Sequence, residues 1–235
     1  MLKGFFIMLT IILASSCAGL ADKDMKNSQY HYQLGISYLN ENNIQPAFTE
    51  LQKALELNPH DKETHNALGV IYLTKLEDYA KAIEHFQKAL AIDKDYSEAA
   101  TNLGNTYANM KKFNEAIESY NIALSNPQYM NPAMALNNLG MVYYRLSKWD
   151  DALSAFKDAL KRYSDFHAPY YGLALCYNAK GQYGDAAFAM KRAVELDPLY
   201  KGDMEKAIVD LRNQKLRAKD EQEQDITNYL EIIQY

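Results

Sequence analysis

Cysteine is scarce: the 235 residues hold 2, at positions 17 and 176, too few for a disulfide framework. Glycine (10) and proline (6) are low enough to exclude a collagen-like or broadly disordered chain. Cations are in the minority, 25 Lys+Arg against 30 Asp+Glu for a net charge of −5. Phosphate binding needs clustered Lys and Arg, so this balance argues against a nucleic-acid partner. The apolar run Gly4 to Ala14 has 11 residues, short of the roughly 20 a spanning helix needs. The signatures HExxH, Walker A, GxSxG and paired Cys-x-x-Cys are also missing. What the chain does have is a 48% apolar share, enough to bury a core or a stack of elements.

The N-terminal run follows a single basic residue, Lys3, and precedes Ser15, Ser16 and Cys17, so residues 1–16 read as a signal peptide. The small residues Ala14, Ser15 and Ser16 directly before Cys17 resemble a bacterial lipobox, which implies acylation of Cys17 as the mature N-terminus. The alternatives are an ordinary signal peptide cleaved at a small residue, with Cys17 incidental, and a short uncleaved anchor. Each buried acyl CH₂ contributes roughly 0.8 kcal/mol, so two or three chains on one cysteine would hold the protein at a membrane essentially permanently. Ala18 stands where an Asp would suggest inner-membrane retention, so the same resemblance implies an outer-membrane, lipid-anchored protein facing the periplasm. The rest of 17–27 is expected to be a polar tether reaching at most about 35 Å.

Beyond residue 28 a pattern recurs every 34 to 36 residues. Leu-Gly-x-x-Tyr appears at Leu34-Gly35 with Tyr38, Leu68-Gly69 with Tyr72, Leu103-Gly104 with Tyr107 and Leu139-Gly140 with Tyr143; the fifth copy is Leu173-Ala174 with Tyr177. Each is followed by an Ala (Ala47, Ala82, Ala116, Ala152, Ala186), a large apolar residue (Leu51, Phe86, Tyr120, Phe156, Met190) and another Ala (Ala54, Ala89, Ala123, Ala159, Ala193). This resembles the tetratricopeptide repeat. The resemblance implies an all-α, right-handed solenoid of five repeats, 28–61, 62–96, 97–132, 133–166 and 167–200, plus a capping helix over 201–218. Small residues allow close helix approach, large ones fill the gap, and neither helix buries its apolar face without the next repeat.

Several departures carry expectations. Lys94 replaces the closing Pro of the second repeat, an extra residue near Leu76-Glu77 lengthens the turn within it, and Ala174 for Gly should widen the fifth crossing. The junction Asn126 to Pro132 is two residues longer than its counterparts. In 219–235, a polar break leads into Ile226, Tyr229, Leu230 and Ile233 at i, i+3, i+4, i+7. That amphipathic tail is too short to stand alone, leaving two readings: docking on its own solenoid, or a partner or self-association segment.

No catalytic set emerges. His31 and His65 occupy bulky packing positions, and Cys176 beside Tyr177 reads as a buried small hydrophobe, so neither an enzyme nor a cofactor or metal site is expected. Function is placed in the groove that the first helices line in this repeat architecture: Tyr32, Ile36, Leu39, Asn66, Val70, Leu73, Thr101, Asn105, Asn137, Met141, Tyr144, Tyr171, Leu175 and Asn178. Amides offer both donor and acceptor to an extended peptide backbone while apolar neighbours accept its side chains. Repeats that clamp a C-terminal carboxylate carry Lys where Tyr32, Asn66, Thr101 and Asn137 stand, so an acidic chaperone tail is not the expected ligand.

A lipoprotein of this size, nearly all repeats, with Asn126-Pro127-Gln128-Tyr129-Met130-Asn131-Pro132 leading into Asn138-Leu139-Gly140 and Tyr143-Tyr144, is similar to the type IV pilus biogenesis and stability lipoproteins. That resemblance implies a pilotin: a non-catalytic adaptor whose groove holds a secretin segment and promotes outer-membrane localisation and assembly of the secretin. The alternative is an envelope scaffold lipoprotein for cell-wall hydrolases or another envelope complex.

Overall fold

The computed structural model describes residues 23–235. The signal-like run and Cys17 lie outside the described residues. All regular structure within them is helical. Helix α1 occupies 23–40; then follow α2 (Ile44–Leu57), α3 (Lys62–Thr74), α4 (Tyr79–Ile92), α5 (Ser97–Asn109), α6 (Phe113–Ser125), α7 (Pro132–Arg145), α8 (Trp149–Arg162), α9 (His167–Ala179), α10 (Tyr183–Leu196), α11 (Met204–Lys215) and α12 (Asp220–Ile232). The chain forms two compact units, one ending at Thr106 and one running from Tyr107 to Tyr235.

Helices α1 to α10 follow one another in the order expected of five repeats, with every Leu-Gly/Ala-x-x-Tyr copy on the first helix of its repeat. Two boundaries differ from the sequence reading. Residues 23–27, expected in the tether, are already helical, and the buried Ser28 hydroxyl donates to the Ala54 carbonyl at 2.9 Å, tying the start of α1 to the end of α2. Pro132, assigned above to the end of repeat three, is the first residue of α7, where its missing N–H costs nothing.

The motif tyrosine also sets the turn inside each pair. Its carbonyl accepts a backbone N–H five residues on: Tyr38 from Asn43 at 2.8 Å, and Tyr107, Tyr143 and Tyr177 from Lys112, Lys148 and Gln182 at 2.9 Å. This is a Schellman-type closure, and it requires a left-handed residue just before the donor. Asn42, Lys111, Ser147 and Gly181 supply it, with φ of 58°, 57°, 57° and 72°. In repeat two the extra residue moves the donor to Asp78 and the left-handed position to Glu77. The turn is longer there, but its logic is the same.

Between pairs, an Asx turn recurs that the spacing of the repeat motif does not reveal. Asn58, Asp93, Asn126 and Asp197 follow four of the five second helices, and in each a side-chain oxygen accepts the N–H two residues on: His60 at 3.2 Å, Asp95 at 3.0 Å, Gln128 and Leu199 at 2.9 Å. Asp93 also binds Lys62 at 2.5 Å, so repeat two closes without the proline that Lys94 replaces.

Close helix approach rests on the glycines. A Cβ on Gly35 would lie 2.8 Å from Leu51, on Gly69 2.5 Å from Phe86 and on Gly140 2.6 Å from Phe156; one on Gly172 would also collide with the Phe156 ring. Phe156, fully buried, is therefore packed against glycines of two successive first helices. In the fifth pair, where Ala174 replaces Gly, the facing position holds Met190, whose flexible thioether takes up irregular space; both are buried.

One polar cluster sits in the core of the first unit. His65 Nε2 donates to the Pro59 carbonyl at 3.1 Å, which makes its Nδ1 an acceptor for His85 Nδ1–H, also at 3.1 Å, and Tyr72 stacks on the His85 ring. Burial, the first cause, together with the neighbouring His65 and Lys88, pulls the His85 pKa down to about 4. Burial lowers His65 as well.

Two measurements test this packing. Thermal unfolding followed by circular dichroism should show Gly140→Ala and Gly172→Ala each losing about 1–3 kcal/mol. Gly184→Ala, whose added methyl meets nothing within 4 Å, should be neutral or slightly stabilising. The histidines make stability pH-dependent: both rings are held neutral when folded and take up protons on unfolding. Their contribution is full above the ordinary imidazole value of 6.5 and declines as pH falls towards about 4. A His85→Gln variant should flatten the thermal midpoint against pH across that window; an unchanged slope would contradict the assignment.

Candidate functional site

In the first unit, the expected groove positions come from α1, α3 and α5. Tyr32, Ile36 and Leu39 are half-buried and pack on a cluster of Ala47, Leu51, Ala67, Leu68 and Ile71, leaving part of each side chain accessible. Asn66, Val70 and Asn105 are half-buried too, and Asn66 Oδ1 accepts from Asn102 Nδ2 at 3.0 Å. Two positions differ from expectation. Leu73 is buried, as is Thr101, whose hydroxyl donates to the Ser97 carbonyl at 2.8 Å, so both serve packing. The uncharged character of this face also has a local exception. Asp61 and Glu63 join Tyr32, Met25 and Asn58 around a cavity of about 480 Å³. Burial first, then those two carboxylates, raise the Tyr32 pKa, and burial with Asp61 raises that of Glu63.

In the second unit, α7 and α9 carry the equivalent positions, and the chain's own tail occupies them. Ile226 and Ile232 of α12 are buried in a cluster against which Met141, Tyr144, Tyr171, Tyr229, Leu230 and Ile233 pack. Tyr171 and Tyr229 meet edge to face at 5.4 Å, Asn228 Nδ2 donates to the Tyr144 hydroxyl at 3.5 Å, and the Tyr235 hydroxyl donates to Asn178 Oδ1 at 3.4 Å. Leu175 is fully buried. Arg145, the cation beside this face, is held by Asp225 through both terminal guanidinium nitrogens, Nη1 at 2.8 Å, and by Glu221 through Nε at 3.4 Å. Burial and the Asp225 charge raise the Tyr144 hydroxyl, and burial above all raises that of Tyr229.

Met141, Tyr144 and Tyr171 thus form part of the bed of α12, Asn178 meets the chain end at Tyr235, and Leu175 is buried, so these positions do not form an open trough. The reason is simple physics: an amphipathic stripe buries itself on apolar surface that its own chain supplies at high effective concentration. The polar break expected at 219–224 is part of this helix, which starts at Asp220. At the other end of the α7 face, Asn137 donates to Asn138 Oδ1 at 3.2 Å while its own amide oxygen is buried without a donor. Cys176 is buried, and burial raises its thiol pKa to about 12, as suits a packing residue. Among the described residues, no group of histidines, cysteines and carboxylates could hold a metal, and no helix is long and apolar enough to cross a membrane.

The repeat geometry agrees with what the chain is similar to. Family models of the tetratricopeptide repeat match residues 28–61, 62–128, 95–165 and 137–201. The chain belongs to the tetratricopeptide repeat family, and its fold is the solenoid type of that family. Among curated relatives, the type IV pilus assembly protein PilF of Pseudomonas aeruginosa is 31% identical over 131 residues, covering 56% of this chain and 52% of that protein. The BBSome complex member BBS4 of Bos taurus is 28% identical over 180 residues, 76% of this chain and 34% of that protein. The chain thus spans about half and a third of the lengths of these two relatives.

Solved structures agree on the fold. A P. aeruginosa PilF structure superposes with a TM-score of 0.71 at 23% identity, covering 88% of this chain and 90% of that one. PilW, described as a widely conserved type IV pilus biogenesis factor, gives 0.71 at 23% identity, with 86% and 90% covered.

Arg145→Ala would leave Asp225 without its partner in a largely buried position and should cost up to about 3 kcal/mol of α12 docking. Amide hydrogen exchange should accelerate through 220–232 while α2 to α4 keep their protection; unchanged exchange in α12 would show that apolar contacts alone hold the tail.

Proposed function

We propose that the chain is a non-catalytic, membrane-tethered adaptor of type IV pilus biogenesis, acting as a pilotin. In this reading Cys17 carries the lipid that anchors the protein to the outer membrane on its periplasmic side, and the helical repeats hold a segment of the secretin subunit until multimers form. The likeness to the P. aeruginosa pilus assembly protein supports the process.

The observation that carries the binding mode is the contrast between the two faces. The α7 and α9 face is filled by α12, whereas Tyr32, Ile36, Asn66, Val70 and Asn105 remain half-buried on α1, α3 and α5. A partner segment therefore enters the first unit, its apolar side chains beside Tyr32, Ile36 and Val70 and its backbone against the amides.

Deletion of the gene, followed by fractionation, is the direct test. Heat-resistant secretin multimers should disappear from the outer membrane and monomer accumulate, and a Cys17→Ser variant should leave the membrane fraction. Normal multimers in the deletion strain would remove the pilotin assignment. Replacing Asn66 and Asn105 with Asp should weaken capture of a secretin segment at least several-fold with helicity intact, because each change removes an amide donor and adds charge.

A further inference from the structure

The long junction between repeats three and four builds a second surface, separate from the first-helix faces. Residues 127–131, the start of α7 and residues 162–166 at and after the end of α8 line a cavity of about 770 Å³. Its apolar walls are Pro127, Met130, Met134, Tyr163 and Phe166. Much of this surface faces solvent: Met130 is 83% exposed, Met134 53% and Tyr163 57%. Tyr163 and Phe166 lie ring on ring, 14° from parallel with centroids 5.9 Å apart, a flat wall against which another planar or branched side chain packs well. Two exposed methionines opposite such a wall make an adaptable apolar mouth.

The charge on this cavity is one-sided. Arg162 is its only charged lining residue. Neighbouring Lys161 is bound by Asp158 at 2.7 Å, but Arg162 forms no ion pair among the described residues. Asp158, which lines an adjoining cavity with Arg162, is engaged by Lys161; a guanidinium left at an apolar cavity complements a ligand that brings its own carboxylate, which it binds through two parallel hydrogen bonds. The flanking amides of Gln128 and Asn131 can pair with a peptide backbone.

We propose that this junction is a second protein-docking site, and that it takes an extended segment of a partner in which a bulky apolar side chain adjoins an Asp or Glu. It does not rest on the pilotin reading, and its failure would leave that reading intact. The apolar side chain enters between Met130, Met134 and the Tyr163–Phe166 wall, and the carboxylate meets Arg162.

Fluorescence anisotropy of the full chain with two dye-labelled decapeptides, identical except for a central Leu-Phe-Asp or Leu-Phe-Asn, tests it. The Asp peptide should bind about tenfold more tightly, as expected for one charge-assisted contact. Arg162→Glu should erase that preference, and Tyr163→Ser should weaken both peptides, while the Asn66→Asp variant binds both normally. Arg162, Tyr163 and Met130 are exposed and Asn66 is half-buried, so an unchanged circular dichroism melt of each variant will show that the fold is kept. Equal affinity for the two peptides, no saturable binding, or indifference to Arg162→Glu would overturn the proposal. So would loss of binding in Asn66→Asp, which would place the peptide in the first-unit groove. Concentration-dependent dimerisation abolished by Met130→Ser would overturn it too, because a second copy would then cover the site.

Discussion

Close packing of a large side chain onto a bare backbone is the contact on which this molecule is organised. Phe86 fits because Gly69 has no Cβ, and Phe156 fits because Gly140 and Gly172 have none. Each such contact brings two helices near enough for the alanines at the recurring positions to become fully buried. The spacing of repeats follows, and with it the placement of Tyr, Asn and Ile side chains along the first helices. The motif tyrosine has a further role through its backbone carbonyl, which accepts the turn-closing N–H; pairing of helices and reversal of the chain are thus coupled within one five-residue motif.

Apolar surface of this kind attracts cover, and the second unit covers its own. α12 lays its stripe on the α7 and α9 face, and Arg145 beside it is engaged by Asp225 and Glu221. A helical tail with an acid at the right register is thereby a description of what this kind of face accepts. The first-unit face keeps its half-buried aromatic, aliphatic and amide groups. The asymmetry between the two faces gives the adaptor reading its location.

Much of this was legible in the residues because the relevant interactions are local. Repeat number, helix pairing, the longer turn at Leu76-Glu77, the extended junction before Pro132 and the packing role of Cys176 all follow from spacings within about 35 residues. The Asx turns at Asn58, Asp93, Asn126 and Asp197 are equally local, marked by an Asn or Asp after four of the five second helices, and independent of the closing prolines. The Asp61–Glu63 cavity beside Tyr32 needed the loop after α2 folded back near α1, which no periodicity encodes.

By itself the sequence determined the repeat, the helices and the amphipathic stripe of the tail, because each depends on side chains within one or two turns or one repeat of one another. Only the tertiary structure decided which surface that stripe covers. Arg145 and Asp225 are 80 residues apart, and the choice between docking at home and waiting for a partner rests on how well two distant surfaces fit. That fit is fixed by three-dimensional shape and desolvation, which no linear spacing records.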